Sequence, residues 1–162
     1  MLSQSHFLFE KSNLRVSLFK ISGNKMSYKR NLLPKMAVER MNKNPEAVLI
    51  DVRTRAEHKY VGFPVNSILI PWFDEPDLES DPDAFYASVI SELSNRSDAM
   101  DTELILICRS GFRSNEALKC LQSKGFTCVS HVASGFEGDL DENDHRGNLN
   151  GWRNDGMPWS QG

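Results

Sequence analysis

The chain has few cysteines and no long apolar stretch, and each scarcity argues against a class of protein. Its three cysteines, Cys108, Cys120 and Cys128, are an odd number at irregular spacing, which is not a disulfide framework. No Cys-x-x-Cys pair occurs, so a thioredoxin-type redox site is not expected. No run is apolar enough to span a bilayer. Free thiols suit a reducing compartment, and we therefore expect a cytoplasmic protein.

The chain also lacks a strong excess of either charge. Its net charge is -3, with 25% charged and 40% hydrophobic residues. Such a balance gives no reason to expect binding to nucleic acid or to a membrane by bulk attraction. The 162 residues are enough for one domain with a real hydrophobic core.

Acidic residues are scarce at the N-terminus. Residues 1–38 contain one acid, Glu10, against seven lysines and arginines and many serines. Three interpretations stay open: an organelle transit segment, which would place the protein in an organelle matrix, a disordered extension, or a dispensable leader before a true start at Met26. We divide the chain into a basic arm, residues 1–26, and a domain, residues 27–162.

Beyond the arm, short apolar runs alternate with amphipathic segments. Strands are predicted over residues 47–52, 67–70, 104–107 and 128–132. Helices are predicted over residues 31–42, 55–60, 83–93 and 114–124, with Asp81-Pro82 as the N-cap and first residue of the third. Gly62-Phe63-Pro64 is predicted to turn the chain. This alternation indicates an α/β fold, with a parallel sheet that has helices on both faces. Ligands of such sheets bind at the carboxyl ends of the strands, where Cys108 and Asp51 are placed.

The most informative segment is Cys108-Arg109-Ser110-Gly111-Phe112-Arg113-Ser114. It follows an apolar strand and precedes a helix. Backbone amides of such a loop, the dipole of the helix and two guanidinium groups all favour an anionic sulfur. The loop therefore predicts a reactive thiolate at Cys108 rather than an inert core cysteine. Cys120 and Cys128 have no such surroundings, and we interpret them as structural.

Three segments resemble the signature motifs of the rhodanese family, in its single-domain form. The cysteine loop, residues 108–114, is the most specific match. Asp51-Val52-Arg53, followed by Glu57 and Gly62, resembles the first motif. Gly135-Phe136, Gly151-Trp152 and Gly156-Met157-Pro158 resemble the C-terminal motif. The resemblance covers about residues 31–159 and implies a rhodanese-like α/β fold of about five parallel strands.

Two segments depart from the family pattern. The family usually has Gly-His-Ile-Pro-Gly-Ala after its first motif, whereas residues 62–67 read Gly-Phe-Pro-Val-Asn-Ser and lack the histidine. A polar insertion, residues 139–150, also splits the C-terminal motif. Neither departure alters the cysteine loop.

The resemblance implies a sulfurtransferase of the thiosulfate type. Cys108 is then the nucleophile, and it transfers a sulfane sulfur through a persulfide. Arg109 and Arg113 are candidates to bind the sulfonate of the donor, because a guanidinium fork suits an oxyanion. The remaining loop residues, Ser110, Gly111, Phe112 and Ser114, complete the expected substrate-binding set. The expected partners are a small-molecule sulfur donor and a thiol, cyanide or protein-thiol acceptor, with no cofactor and no metal.

Three residues outside the loop are candidates for a supporting role. Asp51 either orients a neighbouring side chain or caps the next turn. Arg53 is expected to form a structural ion pair with Glu57. Trp72 follows a strand end on the expected active face, and it is a candidate for the wall of the substrate pocket.

Other functions stay open as alternatives. A persulfide carrier for a protein partner would have the same loop but little turnover. A cysteine-based phosphatase is disfavoured because four residues separate Cys108 from Arg113, one fewer than in the phosphatase signature; an arsenate reductase of the same fold is a similar minor alternative. The acidic segment 139–150 begins like a calcium loop, but it has Asp144 and Asn150 where glycine and glutamate are needed.

Overall fold

The computed structural model describes residues 28–162. The prediction made for the arm, residues 1–26, lies outside these residues. The central sheet has five strands, and all of its pairings are parallel. Across the sheet the strands follow the order Asn31–Leu32, Val129–Val132, Leu104–Ile107, Val48–Asp51 and Ser67–Leu69. The α/β class and the five-stranded parallel sheet are therefore confirmed.

The elements follow one another in the predicted alternation. The strands of the sheet are β1 (Asn31–Leu32), β2 (Val48–Asp51), β4 (Ser67–Leu69), β5 (Leu104–Ile107) and β6 (Val129–Val132). The short strands β3 (Phe63–Pro64) and β7 (Trp159–Ser160) form a separate antiparallel pair. The α-helices of the described residues are α1 (Pro34–Lys43), α2 (Arg55–Val61), α3 (Pro82–Glu92) and α4 (Phe112–Ser123), and a 3₁₀ turn spans Ala99–Asp101.

The sheet is covered on both faces, as the apolar strands predict. Alternate residues of β5 point to opposite sides, so Leu104 and Leu106 join one core while Ile105 and Ile107 join the other. Helices α3 and α4 pack on the first side. Helix α1 packs on the second side, together with the C-terminal Trp152. Because all four residues of β5 are fully buried, the carboxyl end of this strand holds Cys108 in a fixed position.

Two local predictions were wrong. Residues 31–32 were expected to begin a helix, but they form β1 and pair with β6, with Asn31 opposite His131. The helix starts only at Pro34, because proline fixes a helical φ and has no N–H to leave unpaired. The segment Gly62-Phe63-Pro64 was expected to be a turn, but Phe63 and Pro64 pair with the distant β7.

The first residues of α3 follow the predicted capping chemistry. The Asp81 side chain accepts hydrogen bonds from the backbone N–H groups of Asp83 and Ala84, and Pro82 occupies the first turn. This helix supports the wall of the cavity described below. None of the helices within residues 28–162 has the length and apolar character that a membrane crossing requires.

Candidate active site

The predicted nucleophile lies directly after β5, at the carboxyl edge of the sheet. Cys108 Sγ accepts the backbone N–H of Gly111 at 3.1 Å and lies 3.4 Å from Ser114 Oγ. The residue is only 1% exposed, yet it lines a cavity at the protein surface. Its thiol therefore lies at the floor of an open pocket, where a small reactant can reach it.

Gly111 makes the sharp turn of the loop. Its φ of 102° lies in the left-handed region, which only glycine adopts at little cost. A Cβ there would also lie 2.0 Å from the carbonyl oxygen of Ala133. The turn brings the Gly111 N–H back onto Cys108 Sγ and starts α4 at the next residue. Of the amides predicted to cradle the sulfur, this is the one that donates to it here.

The C-terminal motif holds the loop from behind. The Phe136 N–H donates to the Cys108 carbonyl at 2.7 Å, and the Glu137 N–H donates to the Arg109 carbonyl at 2.9 Å. Gly135 lies so close to the loop that a Cβ there would be 2.5 Å from the Arg109 backbone. These contacts explain in physical terms why the Gly135-Phe136 motif accompanies the cysteine loop.

The cavity above Cys108 has a volume of about 960 Å³, at the upper end of the range for small-molecule sites. One wall is the loop itself, with Arg109, Ser110, Phe112 and Arg113. The opposite wall comes from the segment between β4 and α3. Its lining residues are Trp72, Phe73, Glu75, Leu78, Glu79 and Ser80.

Arg113 is bound by Glu57, the acid that the sequence analysis paired with Arg53. Its guanidinium binds Glu57 through two hydrogen bonds of 2.7 Å, and the side chains are 12% and 20% exposed. The expected Arg53–Glu57 ion pair was wrong, because Arg53 binds Asp51 instead. The forked pair spans 56 residues, and it fastens the start of α4 to α2.

The pKa values of this pair reflect their contact. Burial raises the pKa of Glu57, but the hydrogen bonds from Arg113 and from the Thr54 backbone outweigh it and the net pKa is lowered. Burial disfavours the charge on Arg113, but Glu57 outweighs that effect and raises the pKa of the guanidinium. Both groups are therefore charged at neutral pH, and Glu57 neutralises much of the positive potential of Arg113.

Arg109 differs from Arg113 in its surroundings. It is exposed and lines the cavity, and no carboxylate among residues 28–162 forms an ion pair with it. Phe112 is 76% exposed at the mouth of the cavity. The loop thus presents one arginine that is available to an anion and one that is already engaged.

The cluster around Asp51 lies beside the cavity rather than on its wall. Asp51 accepts hydrogen bonds from the Arg53 backbone and guanidinium, and it lies 3.0 Å from His58 Nδ1. Arg53 also donates to the Gly62 carbonyl and stacks over Phe136. Asp51 thus accepts the N–H of the turn after β2 and holds the Arg53 guanidinium in place.

Trp72 lies on the cavity wall, where the sequence placed it. Its ring meets Phe85 of α3 edge to face at 5.2 Å, so it also belongs to the apolar packing under that wall. Its position fits both interpretations, a pocket wall and a packing residue.

Ser114 reaches a residue that the sequence did not suggest as functional. Its Oγ lies 2.9 Å from His131 Nδ1, on β6, and 3.1 Å from the Gly111 carbonyl. His131 Nε2 lies 3.0 Å from Asn31 Oδ1 of β1. No local signal marks His131, because an apolar strand pattern does not reveal which face one histidine takes or what lies opposite.

The acidic segment 139–150 forms a loop that satisfies its own polar groups. Asp141 accepts the backbone N–H groups of Asn143 and His145 and the side-chain amide of Asn148. Asp139 accepts a hydrogen bond from Asn150. The Asp141 carboxylate therefore organises the turn, and residues 28–162 contain no group of three or more acidic, histidine or cysteine side chains arranged for a metal ion.

Comparison with known proteins agrees with this architecture. A family model described as the rhodanese-like domain matches residues 34–142. The crystal structure of Rv0390 from M. tuberculosis is 38% identical, with 84% of this chain and 100% of that chain covered and a TM-score of 0.70. An uncharacterised protein of Rickettsia prowazekii is 28% identical over 134 residues, which are 80% of this chain and 96% of that protein.

A more distant solved structure shares the fold. It is the polysulfide-sulfur transferase homodimer of Wolinella succinogenes, which is 22% identical, with 83% of this chain and 80% of that chain covered and a TM-score of 0.54. The family match extends from the start of α1 through the cysteine loop and β6 to the acidic segment. The chain therefore belongs to the family of the rhodanese-like domain.

Proposed function

We propose that the protein is a sulfurtransferase that moves a sulfane sulfur from thiosulfate or a similar donor to a thiophilic acceptor. The observation on which this rests is the position of Cys108 Sγ. It lies at the floor of an open cavity and accepts an N–H of the turn that begins α4. A thiolate there is stabilised by that amide and by the helix N-terminus.

The first step is a displacement at sulfur. The Cys108 thiolate attacks the outer sulfur of the donor, a new S–S bond forms, and the old S–S bond breaks. Sulfite leaves with the bonding electrons, and Cys108 keeps the transferred sulfur as a persulfide anion. Arg109 supplies the guanidinium for the sulfonate of the donor, because Arg113 is held by Glu57.

The second step restores the enzyme. The acceptor, a thiol, cyanide or a protein thiol, attacks the outer sulfur of the persulfide, and the Cys108 thiolate leaves. Neither step requires a cofactor or a metal. The size of the cavity and the exposed Phe112 at its mouth favour an acceptor larger than cyanide.

Mass spectrometry of the intact protein after thiosulfate treatment tests the proposal. We expect a gain of one sulfur atom that reverses with a thiol and is lost in Cys108→Ser. Cys120→Ser is the matched control and should still gain the sulfur, because Cys120 is bound to the Pro82 carbonyl on α3 and burial raises the pKa of its thiol. The absence of a sulfur adduct on Cys108 would refute the proposal. A stable adduct without repeated transfer to cyanide would indicate the carrier function instead.

A further inference from the structure

A series of hydrogen bonds runs from the nucleophile through two buried residues, Ser114 and His131, to the exposed Asn31 on β1. Cys108 Sγ lies 3.4 Å from Ser114 Oγ, Ser114 Oγ lies 2.9 Å from His131 Nδ1, and His131 Nε2 lies 3.0 Å from Asn31 Oδ1. Ser114 is fully buried and His131 is 5% exposed. These hydrogen bonds link α4, β6 and β1 on the side of Cys108 that faces away from the cavity.

The partner of Nε2, the Asn31 side chain, decides which ring nitrogen of His131 carries the proton. The carbonyl oxygen of Asn31 is an acceptor, so the proton of a neutral His131 ring belongs on Nε2. Nδ1 is then an acceptor, and the Ser114 hydroxyl can donate to it at 2.9 Å, a shorter contact than the 3.1 Å to its other acceptor, the Gly111 carbonyl oxygen. A lone pair of Ser114 Oγ is left facing the thiol of Cys108.

We propose that His131 is a positioning residue for Cys108 that takes up the thiol proton through the Ser114 hydroxyl. The S–H proton of Cys108 moves to Ser114 Oγ while the hydroxyl proton of Ser114 moves to His131 Nδ1. The products are a thiolate, an intact hydroxyl that now donates to the sulfur, and an imidazolium. When Cys108 leaves the persulfide, the same path returns the proton.

The surroundings of His131 suit this function. Burial lowers the pKa of the imidazole, which keeps the ring neutral, with Nδ1 able to accept a hydrogen bond at neutral pH; an imidazolium forms there only when the thiolate charge balances it. The groups that face it are the Asn31 amide on β1 and the Ser114 hydroxyl on α4. The β5 residue opposite is the apolar Leu106. Through the Ser114 hydroxyl, the hydrogen bonds of His131 lead to one titratable group, the Cys108 thiol. The negative charge that balances an imidazolium at His131 is therefore the Cys108 thiolate.

The test is the pH profile of Cys108 alkylation by iodoacetamide, followed on the cysteine-containing peptide by mass spectrometry. His131→Asn keeps an acceptor near the Nδ1 position but cannot take a proton. We expect its profile to shift to higher pH by about one unit, which lowers the rate near pH 7 about tenfold. Ser130→Ala is the control, because Ser130 is the buried neighbour on β6 and contacts the Leu104 carbonyl instead. Its profile should match the parent profile.

A second measurement covers the case in which the variant does not fold. NMR titration of the His131 ring in the parent should be coupled to Cys108, and in Cys108→Ala it should become a single step at low pH. An unchanged alkylation profile in folded His131→Asn, or the same His131 titration with and without Cys108, would overturn the proposal. The inference deepens the proposed sulfur transfer, but alkylation uses no sulfur donor, so either proposal can fail without the other.

Discussion

Replacing Glu57 with glutamine removes one charge from the pair that fastens α4 to α2. Glutamine keeps an oxygen for the Thr54 N–H, with which Glu57 forms a capping box at the start of α2, so the change isolates the ionic contact with Arg113. Loss of one partner from a fully buried pair costs ~3–5 kcal/mol, and loss of an exposed pair costs ~0–1 kcal/mol. Because these side chains are 12% and 20% exposed, we expect a loss of about 2 kcal/mol in the free energy of unfolding.

Glu116→Gln is the matched control. Glu116 also lines the cavity, but its partner is the exposed Lys119 one helical turn away, and such pairs contribute only ~0.3–0.5 kcal/mol. Both variants remove one negative charge from the same pocket. Urea denaturation followed by circular dichroism should therefore separate the two midpoints clearly.

The pH dependence gives a second check with a definite sign. The pKa of Glu57 is lowered in the folded state from its ordinary value of 4.5. Its contribution is therefore complete above that value and is lost as the pH falls through the lowered pKa. The difference between parent and Glu57→Gln should be constant near neutrality and shrink in acid. Equal stabilities of Glu57→Gln and Glu116→Gln at pH 7 would refute the reasoning.

Three further predictions concern the cysteine loop and its cavity. Arg109→Ala should lower kcat/KM for thiosulfate at least tenfold through KM, since one charge-assisted contact contributes ~1.5–3 kcal/mol. Arg113→Ala should instead lower the unfolding midpoint as Glu57→Gln does, and a larger KM effect from Arg113→Ala than from Arg109→Ala would contradict the assignment. Gly111→Ala should abolish sulfur loading and destabilise the fold far more than Gly125→Ala. Both positions have a positive φ, but an added Cβ at Gly125 has nothing within 4 Å, whereas one at Gly111 meets the Ala133 carbonyl oxygen. Equal unfolding midpoints of the two variants would contradict this. Trp72→Ala should raise KM for a bulky thiol acceptor more than for cyanide, and equal changes would remove Trp72 from the pocket wall.

Patterns among neighbouring residues were sufficient to predict the strand, the turn and the helices that position Cys108. The apolar run 104–107 is too short for a helix and therefore predicts a buried strand. The Cys-Arg-Ser-Gly sequence after it has the residue types that a tight turn into a helix requires. Asp81 before Pro82 is likewise a helix start that depends on neighbours in sequence. These predictions succeeded because each depends on chemistry within a few residues.

Predictions failed where the deciding partner lies far along the chain. Asn31 and Leu32 continue a plausible helix in sequence, but hydrogen bonds to β6, about a hundred residues later, make them a strand. Two acids and two arginines admitted several pairings, and only the tertiary structure, which brings the start of α4 within reach of Glu57 on α2, assigned Glu57 to Arg113 and left Arg53 to its near neighbour Asp51.

The sequence by itself determined the fold class, the nucleophile candidate and the turn that presents it, because strand hydrophobicity, glycine conformation and helix capping are local properties. Tertiary structure alone decided which arginine is available to an anion and placed His131 behind Cys108. Those outcomes depend on which side chains from separate strands and helices come into contact, and no pattern among neighbouring residues in the sequence shows which ones do.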